Sequence, residues 1–361
     1  MFVAITNTPR DYAWGSTTAI PSLLGMPVTG LPQAELWLGT HPGSPARTPT
    51  GLLSELTTLP FLLKVLAAAA PLSLQAHPTI AQAVAGFARE NAAGVPLDAP
   101  NRNYRDELHK PELLYALTPF RALCGFRPVS DTVGDLSALG DFDEWVSRLD
   151  EGIQPTFEWL ISRGPGVASL IERLVEAAAL ADGPHHALVA ELAATYPGDP
   201  GIAISMMLNL ADLRPGEVLY LPAGNIHAYI EGLGIELMAA SDNVLRGGLT
   251  PKHVDVAELL RVLDFTPLPV PYLEAIALGD GVEAFRPDVS DFELLHVRGQ
   301  ATVALAADAI ALCVAGSFLI TGAHGEARIE RGEAVFVSHE EAVLVIDGDG
   351  ELFIATAGSL R

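Results

Sequence analysis

Three textures of apolar and polar positions follow one another along the chain. Over the first ~128 residues, short apolar runs alternate with turns, as strands do. FLLKVLAAAAPLSLQAHP carries one or two strands, and ELLYAL, after Pro111, another. Prolines at 60, 71, 78, 111, 119 and 128 break helical continuity, and only IAQAVAGFAREN has helical spacing here. From about Ser130 to Ser205, FDEWVSRLDEG, PTFEWLISRG, GVASLIERLVEAAALADG and HHALVAELAATY place apolar residues at i, i+3 and i+4, which predicts helices. Strand texture returns in GEVLYLPAGNIHAYIEG, PKHVDVAELLRVLDF reads as one more helix, and PLPVP marks a linker. The remaining residues alternate as short strands with turn signals. LRPGEVLYLP (Leu213–Pro222) is echoed by IERGEAVFVS (Ile329–Ser338), which points to two copies of one β-module. The expected organisation is mainly β: residues 1–128 joined to 206–262, an α-helical insert at 129–205, and a C-terminal β segment at 263–361.

The length of 361 residues allows two or three domains. A net charge of −23 argues against nucleic acid or anionic lipid as a partner. Two cysteines outside any CxxC pattern fit a reducing compartment, and neither a signal peptide nor a membrane span is expected. A cytoplasmic protein is the expectation. Only three of the 21 basic residues are lysines, Lys64, Lys110 and Lys252. Arginine serves wherever any positive charge will do, so these lysines are candidates for sites needing a compact ammonium.

Four stretches carry candidate chemistry. In Gln75-Ala76-His77, residues i and i+2 share a strand face, and both side chains are acceptable ligands to a borderline divalent cation. In His109-Lys110-Pro111-Glu112, a carboxylate opens an apolar strand, and burial with Leu114 and Ala116 would require a cationic partner, a metal or an arginine. Gly216, Pro222, Gly224 and His227 follow the spacing G-x5-P-x-G-x2-H, which aims His227 into a barrel. This matches the second metal-binding motif of the cupin superfamily, except that Glu231 stands at the usual closing Asn. In the C-terminal echo, Ser338, Glu340 and Val343 replace the Pro, Gly and His. The fourth stretch, SDNVLRGGLTPK, places Arg246 and Lys252 six residues apart, a candidate pocket for an anion.

QAHP, HKPE, PAGNIHAY and SDNVLRGGLTPK, in this order and with YAWGS and ELWLGTHP upstream, resemble the signature stretches of the type I mannose-6-phosphate isomerases (phosphomannose isomerases). The resemblance implies two cupin (RmlC-like jelly-roll) barrels, the second degenerate, plus an α-helical domain. It implies one zinc ion per chain, held by Gln75, His77, Glu112 and His227. It makes Arg246 an essential catalytic residue and Lys110 a catalytic lysine. It places Lys64, Ser73, Trp14, Tyr229, Asp242 and Lys252 at the substrate. It implies interconversion of mannose 6-phosphate and fructose 6-phosphate through a cis-enediol, by a monomer. The general base stays open between Lys110, His109 and Asp242. Two other readings are a non-catalytic cupin that binds a sugar phosphate and an iron-dependent cupin oxygenase; Gln75 in place of a histidine weighs against the second.

Overall fold

A computed structural model describes residues 1–279 and 281–358, which form two nine-stranded antiparallel sheets and several helices. The long strand His227–Ala239 is the axis of the first sheet. It pairs with Gln75–Ala76, Phe61–Ala68, Glu112–Ala116 and Phe120–Phe126. Val218–Leu221 and Leu208–Leu213 pair onto the last two, Glu35–Gly39 onto Phe61–Ala68, and Leu245–Arg246 onto Gln75–Ala76.

Alternation along these strands sorts side chains into two compartments. Phe61, Leu63, Val65, Leu113 and Tyr115 face the second sheet and pack against Phe285, Leu294, Ile310, Phe336 and Phe353. Leu66, Leu114, Ala116, Phe120 and Tyr229 occupy the opposite, inner face. The inward placement expected for Leu114 and Ala116, and with them Glu112, is therefore the observed one.

Gly232 shapes this sheet. Its φ is +136°, and a Cβ there would lie 2.4 Å from the ring of Phe120. At this corner the strand leaves Phe120–Phe126 and joins Phe61–Ala68. The bend has a direct consequence for the site. Glu112 is paired with Met238, and His227 starts the same strand. A straight strand would hold them about 35 Å apart; the curled sheet brings their side chains to 3.2 Å.

The second sheet runs from Phe2–Ile5 through Ala334–Val337, Ala309–Thr321, Val343–Thr356, Glu293–Val297 and Val282–Phe285 to Ile276–Gly279. The chain's first strand thus pairs in the C-terminal sheet, away from the segment to which its sequence position assigns it. The two echoed turns match: Gly216 and Gly332 have φ of +94° and +89°, each just before its apolar strand.

Six consecutive helices lie between Val129 and Ser205, and Ile80–Ala92 is helical as expected. Thr79 and Gln82 form a capping box that starts Ile80–Ala92. The helix expected in PKHVDVAELLRVLDF is confined to Val256–Val262, because Asp255 caps it by accepting from the Glu258 amide. The six helices pack Trp145, Phe157, Leu170 and Leu192 in one core with Phe126 and Ile226 of the first sheet. Among the described residues, no helix is long and apolar enough to cross a membrane.

Candidate active site and metal centre

His77, Glu112 and His227 converge inside the first sheet. All three are buried, and one potential ligand atom from each lies within 4.8 Å of the others. The ring orientations are set by backbone. His77 Nδ1 is 2.7 Å from the carbonyl of Asn243, and His227 Nδ1 is 3.0 Å from that of Asn225. A carbonyl only accepts, so each Nδ1 donates its proton and leaves a lone pair on Nε2. His77 Nε2 sits 3.3 Å from Glu112 Oε1, and His227 Nε2 sits 3.2 Å from Glu112 Oε2. Burial lowers the pKa of His77 to about 4, and Lys110 and His227 push the same way. Burial works against the charge on Glu112, but Lys110 Nζ at 2.9 Å together with His77 and His227 outweighs it and holds the carboxyl well below its usual range.

Two imidazole lone pairs therefore face an ionised carboxylate. Neither Nε2 has a hydrogen-bond partner, and acceptors do not satisfy one another. A cation that accepts nitrogen and oxygen donors resolves the conflict, and zinc fits this donor set. Gln75 lies directly across from His227 in the ladder and lines a cavity at the site.

That cavity has a volume of about 580 Å³. Trp14, Lys64, Ser73, Lys110, Tyr229, Asp242, Arg246 and Lys252, all read from the sequence, line it together with Gln75 and Glu112. His77 and His227 are buried and reach it only through their contacts with Glu112. His109 is not brought into the cavity: its Nε2 is 2.9 Å from Asp291 Oδ2, beside the C-terminal sheet. Of the three candidate bases, Lys110 and Asp242 remain on the cavity wall.

Strand register explains Lys64. It lies opposite Trp37 on one side and Glu236 on the other. Its Nζ is 2.8 Å from Glu236 and 3.5 Å from Glu35, and Trp37 Nε1 donates to Glu35. Burial disfavours the ammonium, yet Glu236, Glu35 and Glu112 together hold its pKa above the ordinary value. Burial raises the pKa of Glu236, and Glu112 and Glu35 add to this while Lys64 opposes it. Asp242, near the cavity mouth, has His41 Nε2 at 3.5 Å.

Sequence reasoning missed Glu35, Glu236, His41 and Arg105. The first two are single acids within apolar strands, and His41 is a single histidine in a turn. Arg105 lay in view, five residues before Lys110 in NYRDELHKPE, where only the end of the stretch was read for chemistry. The helical segment also reaches the site. Tyr196 lines the cavity and donates its hydroxyl to the Pro71 carbonyl. Asp199 Oδ1 accepts from Leu249 N and so holds the loop between Arg246 and Lys252.

A family model for the catalytic domain of type I phosphomannose isomerase matches residues 53–129. The mannose-6-phosphate isomerase of Escherichia coli is 35% identical over 96% of this chain and 97% of its own length. The chain belongs to the type I phosphomannose isomerase family. The human mannose-6-phosphate isomerase is 32% identical, with 92% of each chain covered. Among solved structures, the family's zinc-bound form superposes with a TM-score of 0.93 at 33% identity, covering 99% of this chain and 100% of the other. The Salmonella typhimurium enzyme bound to fructose 6-phosphate and zinc gives the same TM-score, identity and coverage. The region matched by the family model holds Gln75, His77 and Glu112, and with them Lys64, Ser73 and Lys110.

Proposed function

We propose that the chain is a zinc-dependent aldose–ketose isomerase that interconverts mannose 6-phosphate and fructose 6-phosphate through a cis-enediol. The observation that carries this reading is the pair of buried, donor-free Nε2 atoms of His77 and His227 facing Glu112 at a cavity with a basic wall. Gln75, His77, Glu112 and His227 would hold the zinc. When bound, the ion supplies Lewis-acid polarisation of a sugar oxygen.

The chain's own residues then face two problems. A proton must leave C2 and return to C1, and charge develops on the oxygens beside those carbons. Lys110 is the group we assign to carry the proton on Nζ, being compact, buried and adjacent to Glu112. Asp242 is the alternative, with His41 Nε2 3.5 Å from its Oδ1. Arg246 offers fixed, permanently charged donors to the developing charge. Lys252 and Ser73 take the phosphate, Trp14 and Tyr229 wall the sugar, and Lys64 with Glu236 and Glu35 presents polar groups to its hydroxyls.

The same reading extends to architecture and setting. Two cupin barrels, the second lacking ligands, plus an α-helical domain account for the paired left-handed turns at Gly216 and Gly332 and for the run of helices. The segments 1–128 with 206–262, 129–205, and 263–361 are their proposed extents, with Phe2–Ile5 lending a strand to the last. A monomer in the cytoplasm, acting on a small sugar phosphate with no nucleic-acid or membrane partner, fits the charge of −23 and two free buried cysteines.

The test is a coupled assay with mannose 6-phosphate, with and without chelator, alongside elemental analysis. Chelation should abolish turnover and zinc should restore it. Full turnover in verified metal-free protein, or substrate binding by the zinc-loaded protein with no transfer of the C2 proton to C1 or to solvent, would refute the proposal.

A further inference from the structure

The loop of residues 101–110 is pinned to the segment that carries Arg246, and the pin is Asn243. This side chain is fully buried. Its Oδ1 accepts from the amides of Arg105 and Asp106 at 2.7 and 3.3 Å. Its Nδ2 donates to the carbonyls of Asp106 and Leu108 and to Asp106 Oδ1. The backbone of Arg105 is therefore fixed beside the cavity, while its side chain is exposed and lines it.

The acid next to Arg105 does not neutralise it. Asp106 Oδ1 already receives Ser241 Oγ and the Leu108 amide, and Oδ2 receives the Asp242 amide. Among the described residues, no carboxylate oxygen comes within 4.0 Å of Arg105, Arg246 or Lys252. By contrast, Arg102 meets Glu90 at 2.9 Å and Lys110 meets Glu112 at 2.9 Å. Acids outnumber bases 44 to 21 in this chain, yet three cations on one cavity wall are left without an anion. The three feel one another. Burial lowers the pKa of Arg246 and Lys252, and the charge of Arg105 adds to it in both. Such a cluster is stabilised by an incoming dianion, and a guanidinium fork meets phosphate oxygens two at a time.

Building on the isomerase reading, we propose that Arg105 is a third cation that binds the substrate phosphate, alongside Lys252 and Arg246. It acts on affinity for phosphorylated sugars and takes no part in proton transfer.

Steady-state kinetics with mannose 6-phosphate test this in Arg105→Ala, Arg105→Lys and, as a control for losing one surface charge, Arg328→Ala. Arg105→Ala should lose about tenfold in kcat/KM, the cost of a charge-assisted hydrogen bond, and the loss should lie in KM. The inhibition constant of inorganic phosphate should rise by a similar factor. Arg105→Lys should recover part of both effects, and Arg328→Ala should match the parent. A KM and a phosphate inhibition constant within about twofold of the parent in Arg105→Ala would overturn the proposal. So would a fall in kcat at unchanged KM. Calorimetric binding of inorganic phosphate reads the same side chain without turnover. A parent protein that fails to turn over mannose 6-phosphate would thus sink the isomerase reading, while the phosphate titration would still decide on Arg105.

Discussion

Replacing Lys64 by Met is the sharpest probe of the electrostatics beneath the cavity. The ammonium is buried, 2.8 Å from Glu236 and 3.5 Å from Glu35, with Glu112 also contributing to its field. At an effective dielectric constant of about 20, these two attractions amount to roughly 6 and 5 kcal/mol before desolvation is counted. Desolvating the three charges cancels much of that sum. Removal of one partner from a buried ion pair then costs about 3–5 kcal/mol, because the carboxylates left behind remain buried. Methionine fills nearly the same volume, so little of the loss comes from a cavity. Urea unfolding of chelated protein, followed by tryptophan fluorescence, should show Lys64→Met destabilised by about 4 kcal/mol. Adding Glu236→Gln removes one stranded charge and should restore at least a third of the loss. A single variant destabilised by less than about 1 kcal/mol would mean that solvent already screens this cluster. A double variant no more stable than the single one would mean that Glu236 is not the partner that matters.

Arg246→Lys keeps the charge and loses the planar fork. Turnover should drop about a hundredfold with zinc content unchanged by elemental analysis, and a near-parental kcat would remove Arg246 from the chemistry. The stability of chelated protein should also depend on His185. Burial lowers its pKa, and Arg127 adds to this. Its Nε2 donates to the Leu208 carbonyl, its Nδ1 faces the Arg127 guanidinium, and Asp135 and His186 lie nearby. The unfolded chain takes up this proton near pH 6.5 and the folded chain only below that. The stabilisation is thus full above pH 6.5 and declines as pH falls through the folded value, by at most about 1.4 kcal/mol per unit. The urea midpoint should be lower at pH 5.5 than at pH 7.5, and His185→Gln should flatten the slope. A midpoint that rises on acidification would contradict this assignment.

What could be read from the sequence was what lay close together in it. Gln75 and His77 stand two residues apart at the end of one short strand, Lys110 and Glu112 flank one proline, and His227 follows a fixed glycine–proline spacing. Local rules suffice to single out each, and the resemblance to the isomerase family joined them into one proposed donor set. Four of the six helices between Val129 and Ser205 were equally visible, since their periodicity is local; Val129–Leu139 and Gly201–Ser205 lay outside the quoted stretches. The partners of Lys64 were not visible, because Glu35 and Glu236 reach it only through strand register across Trp37–Lys64–Glu236. Asn243 looked like ordinary turn chemistry beside Asp242, and its five hydrogen bonds to a loop more than 130 residues away exist only in the folded chain. Nor does any local pattern mark Gly232 as the corner that turns one strand through two halves of a sheet. The role of the helical segment was hidden for the same reason: Asp199 and Tyr196 act on Leu249 and Pro71 across the chain.

The pairing of Phe2–Ile5 with Ala334–Val337 fixes an order of events at the ribosome. Phe2–Ile5 leaves the exit tunnel well before Ala334–Val337, the strand that supplies its hydrogen-bonding edge. At about 5–20 residues per second, it waits tens of seconds while the residues between the two strands are synthesised. Throughout that interval an apolar segment is without its sheet partner. Assembly therefore closes like a clasp, Phe2–Ile5 fastening down only once Ala334–Val337 has been made.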